Sequence, residues 1–199
     1  MTKHNIPGLS IAVMKDERLV WAKGYGYADK GKGDLVSPAS MFRIASVTKP
    51  ITAAAILKLT ETTNLKLSDK VFGPNGILGD ICKKSGDCID ETDLEKITVQ
   101  HCLEHTTGWT WDSVWEEYDL NNEELIKHTA KNYDQPNTPG SVFTYVNFNY
   151  FLLGRIIEKE SGQSYQNYVK NAILSKCGIT DTYIGADSAA GKGPNEVTY

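Results

Sequence analysis

The sequence predicts an α/β fold of the α+β kind: an antiparallel sheet flanked by helices, with a mainly helical subdomain inserted. Three observations point there. Two apolar stretches, 9–14 and 19–28, flank the polar Lys15-Asp-Glu-Arg18, the layout of a β-hairpin. Residues 45–59 form a largely apolar run with the character of a buried helix. Residues 148–161 repeat apolar side chains at helical spacing through Phe151, Leu152, Ile156 and Ile157.

The elements follow in order. The hairpin opens the fold, and the glycine-rich Lys30-Gly-Lys-Gly-Asp34 after it reads as loop. Pro50 locates the start of the first long helix. Proline lacks an amide hydrogen and is tolerated only in a first turn, so the helix must begin close to Ser46. From 64 to 135 the texture changes to short polar and helical pieces, including 99–105 and 122–128, which read as the inserted subdomain. Pro136-Asn-Thr-Pro-Gly140 is a strong turn, and the helix after it is expected to stop at Gly162.

Composition narrows the function classes. Of 199 residues, 40% are apolar and 23% charged, which suits a globular chain able to bury a core. A net charge of −4, with both signs mixed along the chain, leaves no electrostatic footprint for nucleic acid or an anionic membrane. No apolar run reaches the roughly 18 residues that span a bilayer. Residues 1–8 lack the hydrophobic segment of a secretory signal. The four cysteines are Cys82, Cys88, Cys102 and Cys177. A bridge between Cys82 and Cys88 would close a short polar loop and suit an oxidising, exported setting; free thiols are the alternative, and sequence leaves both open.

Two motifs carry chemistry. In Ser46-Val-Thr-Lys49 the serine and lysine stand three residues apart at a helix start, so they share a face and the amine can reach the hydroxyl. Serine is a weak nucleophile until a base takes its proton, and the helix mouth offers unpaired amides where negative charge would develop on an attacked carbonyl. The rival reading makes Ser46 a helix cap and Lys49 a solvated charge. The second motif is Tyr145-Val-Asn147, a phenol that can serve as base beside an ammonium and an amide that can hold both lysine and substrate. Tyr165-Gln-Asn167 has the same spacing but lies in a polar helical stretch and reads as structural.

Read in order, three blocks resemble the serine β-lactamase and penicillin-binding-protein superfamily, most closely its class C β-lactamase, D,D-carboxypeptidase and esterase branch. They are Ser46-Val-Thr-Lys49 after Phe42-Arg-Ile-Ala45, then Leu103-Glu-His-Thr-Thr-Gly-Trp109, then the stretch 139–158 containing Tyr145-Val-Asn147. The resemblance implies a β-lactamase/transpeptidase-like fold. It also implies Ser46 as acylated nucleophile, Lys49 as proton shuttle or electrostatic activator, Tyr145 as general base, Asn147 as substrate-positioning group, and the Ser46 amide as one oxyanion donor. His105 is expected to be mainly architectural. Trp109, Trp111 and Trp115 are candidates for the cleft, with packing the expected role of at least two.

The resemblance also has a gap. Nothing after Tyr165 fits the family's third block, Lys-Thr-Gly or His-x-Gly; Gly191-Lys-Gly-Pro194 has the wrong order. The expectation is therefore a partial domain over 1–199 with an incomplete sheet: hairpin and nucleophile helix in 1–62, helical subdomain in 63–135, and the Tyr-x-Asn segment with following helices in 136–199. The function implied is a serine hydrolase acting through an acyl-enzyme, with no cofactor and no metal. Its partner would be a small ester, lactam or peptide substrate, and absent C-terminal strands would complement the chain. The alternative is a non-catalytic binding or scaffolding protein that keeps the family shell.

Overall fold

The computed structural model describes residues 2–82, 88, 91–110, 120–185, 191–193 and 195–198. They form two compact units, Met1–Ala45 with Tyr183–Tyr199, and Ser46–Thr182.

The first unit is built on strands β1 (Gly8–Lys15), β2 (Arg18–Asp29) and β3 (Asp34–Leu35), antiparallel in the order β1-β2-β3. Asp16 and Glu17 close the hairpin with φ of 49° and 61°, the left-handed pair whose twist matches that of the flanking strands. The pairs Leu9 with Tyr25, Ile11 with Lys23 and Val13 with Trp21 place a row of large apolar side chains on one face. Leu9, Ile11, Val13, Trp21 and Tyr25 are all exposed. Val36 packs closely over the hairpin at Gly24, where any Cβ would overlap the Val36 carbonyl oxygen, so only glycine fits.

The later segment of this unit is tied down by Glu196. Its carboxylate takes Gly193 N–H at 3.0 Å, Tyr183 O–H at 3.2 Å and Arg43 Nε at 3.1 Å. The Gly193 amide is the chief cause holding this carboxyl below its ordinary range, with Tyr183 and Arg43 adding to it and burial opposing.

A 3₁₀ turn, Ala45–Val47, begins on the last residue before the second unit and leads into its α1 (Thr48–Thr62). The helix starts where Pro50 requires and runs three residues past the expected end, closing with Thr63 N–H on the Leu59 carbonyl at 2.8 Å. Then come α2 (Glu91–Leu94), α3 (Val99–Glu104), α4 (Asn122–Asn132), α5 (Asn147–Ser161) and α6 (Tyr165–Ala172). Helix α4 begins with a capping box in which Asn121 accepts from Glu124 N–H while Glu124 accepts from Asn121 N–H. Helix α5 ends on Gly162 at φ 66°, the left-handed cap that the glycine announces.

Helix α1 packs on α5 and α6, and α5 also packs on α3. Ala55, Ile56 and Leu59 of α1 meet the buried face of α5, made of Phe148, Leu152, Leu153, Ile156 and Ile157. Burial of this order stabilises each large side chain by roughly 1.5–3 kcal/mol. Trp109 is buried, with its ring edge-on to Phe148 at 5.1 Å, so its role is packing. Trp111 and Trp115 lie outside the described residues. Cys82 and Cys88 are joined by a disulfide, while Cys102 and Cys177 are free. Among the described residues no helix is long and apolar enough to cross a membrane.

Candidate active site

Ser46 sits in the 3₁₀ turn that opens α1, and its side chain is exposed there. One turn on, the half-buried Lys49 bends back and donates from Nζ to Ser46 Oγ at 3.1 Å. The i and i+3 geometry of a helix start makes this reach short. The same ammonium donates to Asn147 Oδ1 at 2.5 Å, and the Tyr145 hydroxyl donates to Ser46 Oγ at 2.8 Å. Residues far apart in the chain thus converge on one hydroxyl. The alternative of a capping serine and a solvated lysine is set aside: α1 has no side-chain cap hydrogen bond, and Lys49 is turned inward.

Alternation of the backbone explains how Tyr145 and Asn147 come to face the same place. Val146 between them is fully buried, which turns its two neighbours outward together. The segment is laid against the end of α3 by hydrogen bonds from Gly140 N–H to Thr106 O at 2.7 Å and from Thr144 N–H to His105 O at 2.9 Å. A third bond runs from Val146 N–H to His105 Nδ1 at 3.2 Å. The Pro-Gly turn before it delivers the chain in the right direction, with Gly140 at φ 88°.

Lys49 also lies over aromatic faces, 4.7 Å from the Tyr145 centroid and 5.7 Å from that of Tyr150. Such faces stabilise a cation in a partly dry place. Tyr150 belongs to the site's surroundings although no motif marks it; its one sequence signal is its place three residues after Asn147 on α5, which puts both on one face. The two phenols differ in kind. The Tyr150 hydroxyl donates to the Leu103 carbonyl at 3.2 Å, and burial first, then Tyr145 and Cys102, push its pKa up, which keeps it a protonated donor. Tyr145 is half exposed and points at Ser46.

The other candidates fall elsewhere. Tyr165 bonds Thr52 Oγ1 at 2.7 Å, tying α6 to α1, so the second Tyr-x-Asn is a packing contact. His101 accepts from Thr98 N–H at 3.3 Å and caps α3. Burial, then Lys70, holds its pKa below the ordinary imidazole value. His128 bonds Asn132 on the exposed side of α4. Among the described residues no group of three or more His, Cys, Asp or Glu is placed to hold a metal. Chemically, the quartet offers a hydroxyl at the start of a helix with a phenol and an amine both within hydrogen-bond reach of it.

Comparison with known proteins places this geometry in context. A family model described as Beta-lactamase matches residues 1–198. Protein flp of Staphylococcus aureus (strain NCTC 8325 / PS 47) is 34% identical over 189 residues, covering 92% of this chain and 36% of that protein. Penicillin-binding protein 4* of Bacillus subtilis (strain 168) is 28% identical over 194 residues, covering 92% and 39%. Among solved structures, the octameric penicillin-binding protein homologue from Pyrococcus abyssi superimposes with a TM-score of 0.77 at 31% identity, over 99% of this chain and 44% of that one. A class C beta lactamase superimposes with a TM-score of 0.74 at 22% identity, over 99% and 51%, a likeness of fold. The chain spans little more than a third of the curated relatives it matches.

Proposed function

The chain belongs to the beta-lactamase family, and on that premise we propose that it carries the nucleophile of a serine hydrolase that works through an acyl-enzyme on Ser46. The observation that supports this most is the pair of contacts on one oxygen, Lys49 Nζ at 3.1 Å and Tyr145 Oη at 2.8 Å.

In the proposed reaction Tyr145, as phenolate, takes the Ser46 proton while Oγ attacks the acyl carbon. Lys49 Nζ lies 4.7 Å from the centre of that phenol ring and 3.1 Å from Oγ, beside the two oxygens that exchange the proton. The carbonyl electrons move to oxygen, where the Ser46 amide at the helix mouth donates to the developing charge. Collapse of the tetrahedral intermediate breaks the bond to the leaving group, which receives the proton from Tyr145. Water then attacks the ester on Ser46 by the same steps in reverse. Asn147 holds Lys49 in place at 2.5 Å and supplies the amide that orients the substrate.

The substrate class proposed is a small ester, lactam or peptide. The experiment is a turnover panel on the full-length protein with p-nitrophenyl acetate, a chromogenic cephalosporin and a peptide ending in D-Ala-D-Ala, each against Ser46→Ala. Hydrolysis of at least one substrate that is lost in the variant supports the reading. Unchanged turnover in the variant refutes it, and no turnover of any substrate favours a binding role instead.

We also propose that further polypeptide covers the exposed apolar face of β1 and β2. Support comes from Leu9, Ile11, Val13, Trp21 and Tyr25 sharing that face, an arrangement costly in water and prone to pairing with other strands. In relatives the matched part is a minority of the chain, which leaves ample polypeptide for the task. Hydrogen exchange tests it: amides of β1 should be far better protected in the full-length protein than in the 199-residue chain, and equal protection would refute the proposal.

A further inference from the structure

His105 ends α3 in an unusual way. Its backbone is left-handed, at φ 57° and ψ 42°, a conformation in which glycine is the easy choice and an imidazole is costlier. The side chain is also buried.

The ring nitrogen Nδ1 faces two donors. Val146 N–H lies 3.2 Å away and the Asn149 side-chain amide 3.3 Å. A backbone N–H can only donate, so Nδ1 must carry a lone pair. Asn149 fits this because its Oδ1 is engaged by the Thr107 hydroxyl at 2.7 Å, which turns its Nδ2 towards the imidazole. A neutral ring with its proton on Nε2 satisfies all of these bonds at once. The ring planes matter as well. The imidazole lies 4.6 Å from the Tyr145 ring at 31° and 5.0 Å from the Tyr150 ring at 32°, the same two rings that carry Lys49. Among the described residues, Tyr145 and Tyr150 are titratable groups stacked on it, Lys49 lies over the same two rings, and Cys102 stands on its own helix.

We propose that His105 is a positioning residue: a neutral, Nε2-protonated imidazole that anchors Val146 through Nδ1 and backs the Tyr145 ring with its face. The anchored amide sits between the two residues that reach Ser46 and Lys49, so this bond is the one of the three holding the segment that lies nearest to both side chains. Loss of the anchor lets the segment shift by a fraction of an ångström, the scale on which proton transfer fails. This inference rests on the acyl-enzyme reading above.

The test uses the full-length protein and two variants. His105→Asn keeps an acceptor at the place of Nδ1 and tolerates the left-handed backbone. His105→Phe keeps a ring against the phenols and removes the acceptor. With p-nitrophenyl acetate as probe and rates normalised to folded protein, the Phe variant should acylate about 10- to 100-fold slower with KM within about threefold, while the Asn variant recovers most of the rate. Amide exchange at Val146 should be fast in the Phe variant and slow in the Asn variant. Nitrogen NMR of the parent at neutral pH should show Nε2 protonated and Nδ1 bare. A Phe variant as fast as the parent, or a proton on Nδ1, overturns the proposal. A parent that forms no acyl adduct overturns the hydrolase reading instead, and the NMR and exchange data then still decide the anchor.

Discussion

Tyr145→Phe removes one oxygen and leaves nearly everything else. The ring stays, so the contacts to Lys49 at 4.7 Å and to His105 at 4.6 Å persist. The lost hydroxyl is the one bonded to Ser46 Oγ at 2.8 Å, and the side chain is 49% exposed, so no buried partner is orphaned. Stability should therefore change by less than about 0.5 kcal/mol. Acylation should change far more. A positioned general base contributes roughly 10²- to 10⁴-fold, equivalent to about 2.7–5.4 kcal/mol of barrier at about 1.36 kcal/mol per tenfold. The assay is the pre-steady-state release of p-nitrophenol by the full-length protein, with thermal melts in parallel. A variant that melts as the parent does and acylates at least about 100-fold slower fits the reasoning. A variant within about fivefold of the parent would refute it and move the base to Lys49 alone.

Other perturbations separate structure from chemistry. Tyr165→Phe breaks the 2.7 Å bond to Thr52 and should cost about 1 kcal/mol in denaturant melts while leaving acylation unchanged, which distinguishes the two Tyr-x-Asn sequences. Reduction of the Cys82–Cys88 bridge, or its replacement by two serines, opens a short loop with a separation of six residues. The loss should be about 2 kcal/mol by loop-closure entropy, read as a lower Tm with reductant. Glu196 has a folded pKa below its ordinary value, so its contribution is full above the unfolded carboxylate range near pH ~4.3 and is lost as pH falls through the folded value. Glu196→Gln should lower stability at neutral pH and flatten the loss towards acid, as followed by melts across pH 3–7.

Much of the fold shows in local chemistry. The hairpin is legible because apolar stretches flank a polar turn, and α1 because Pro50 has only one tolerable place in a helix. Helix α5 is legible at both ends, from the turn before it to Gly162. Ser46, Lys49, Tyr145 and Asn147 are marked by the order and setting of their blocks rather than by spacing, which Tyr165-Gln-Asn167 shares, and only folding shows that they converge. Less is visible where contacts join distant segments. The two-residue β3 pairs with β2 across a register slip near Tyr27 and Asp29, which no alternation announces. The buried chain from Gln135 through the Thr107 carbonyl, and from Thr107 through Asn149 to His105, joins residues whose separation in sequence hides it. His105 in particular reads only as the end of the helical piece 99–105 with a mainly architectural role, since nothing local reveals a left-handed backbone or an aromatic stack. The disulfide depends on geometry and was open in the sequence for that reason.

The most direct measurement is peptide mapping by mass spectrometry of the full-length protein after brief exposure to a β-lactam and, separately, to an activated ester. One adduct, carried by Ser46 and abolished by Tyr145→Phe and Lys49→Met on the same timescale, is the predicted result. Labelling at another side chain, or labelling of Ser46 that ignores both substitutions, would contradict the account.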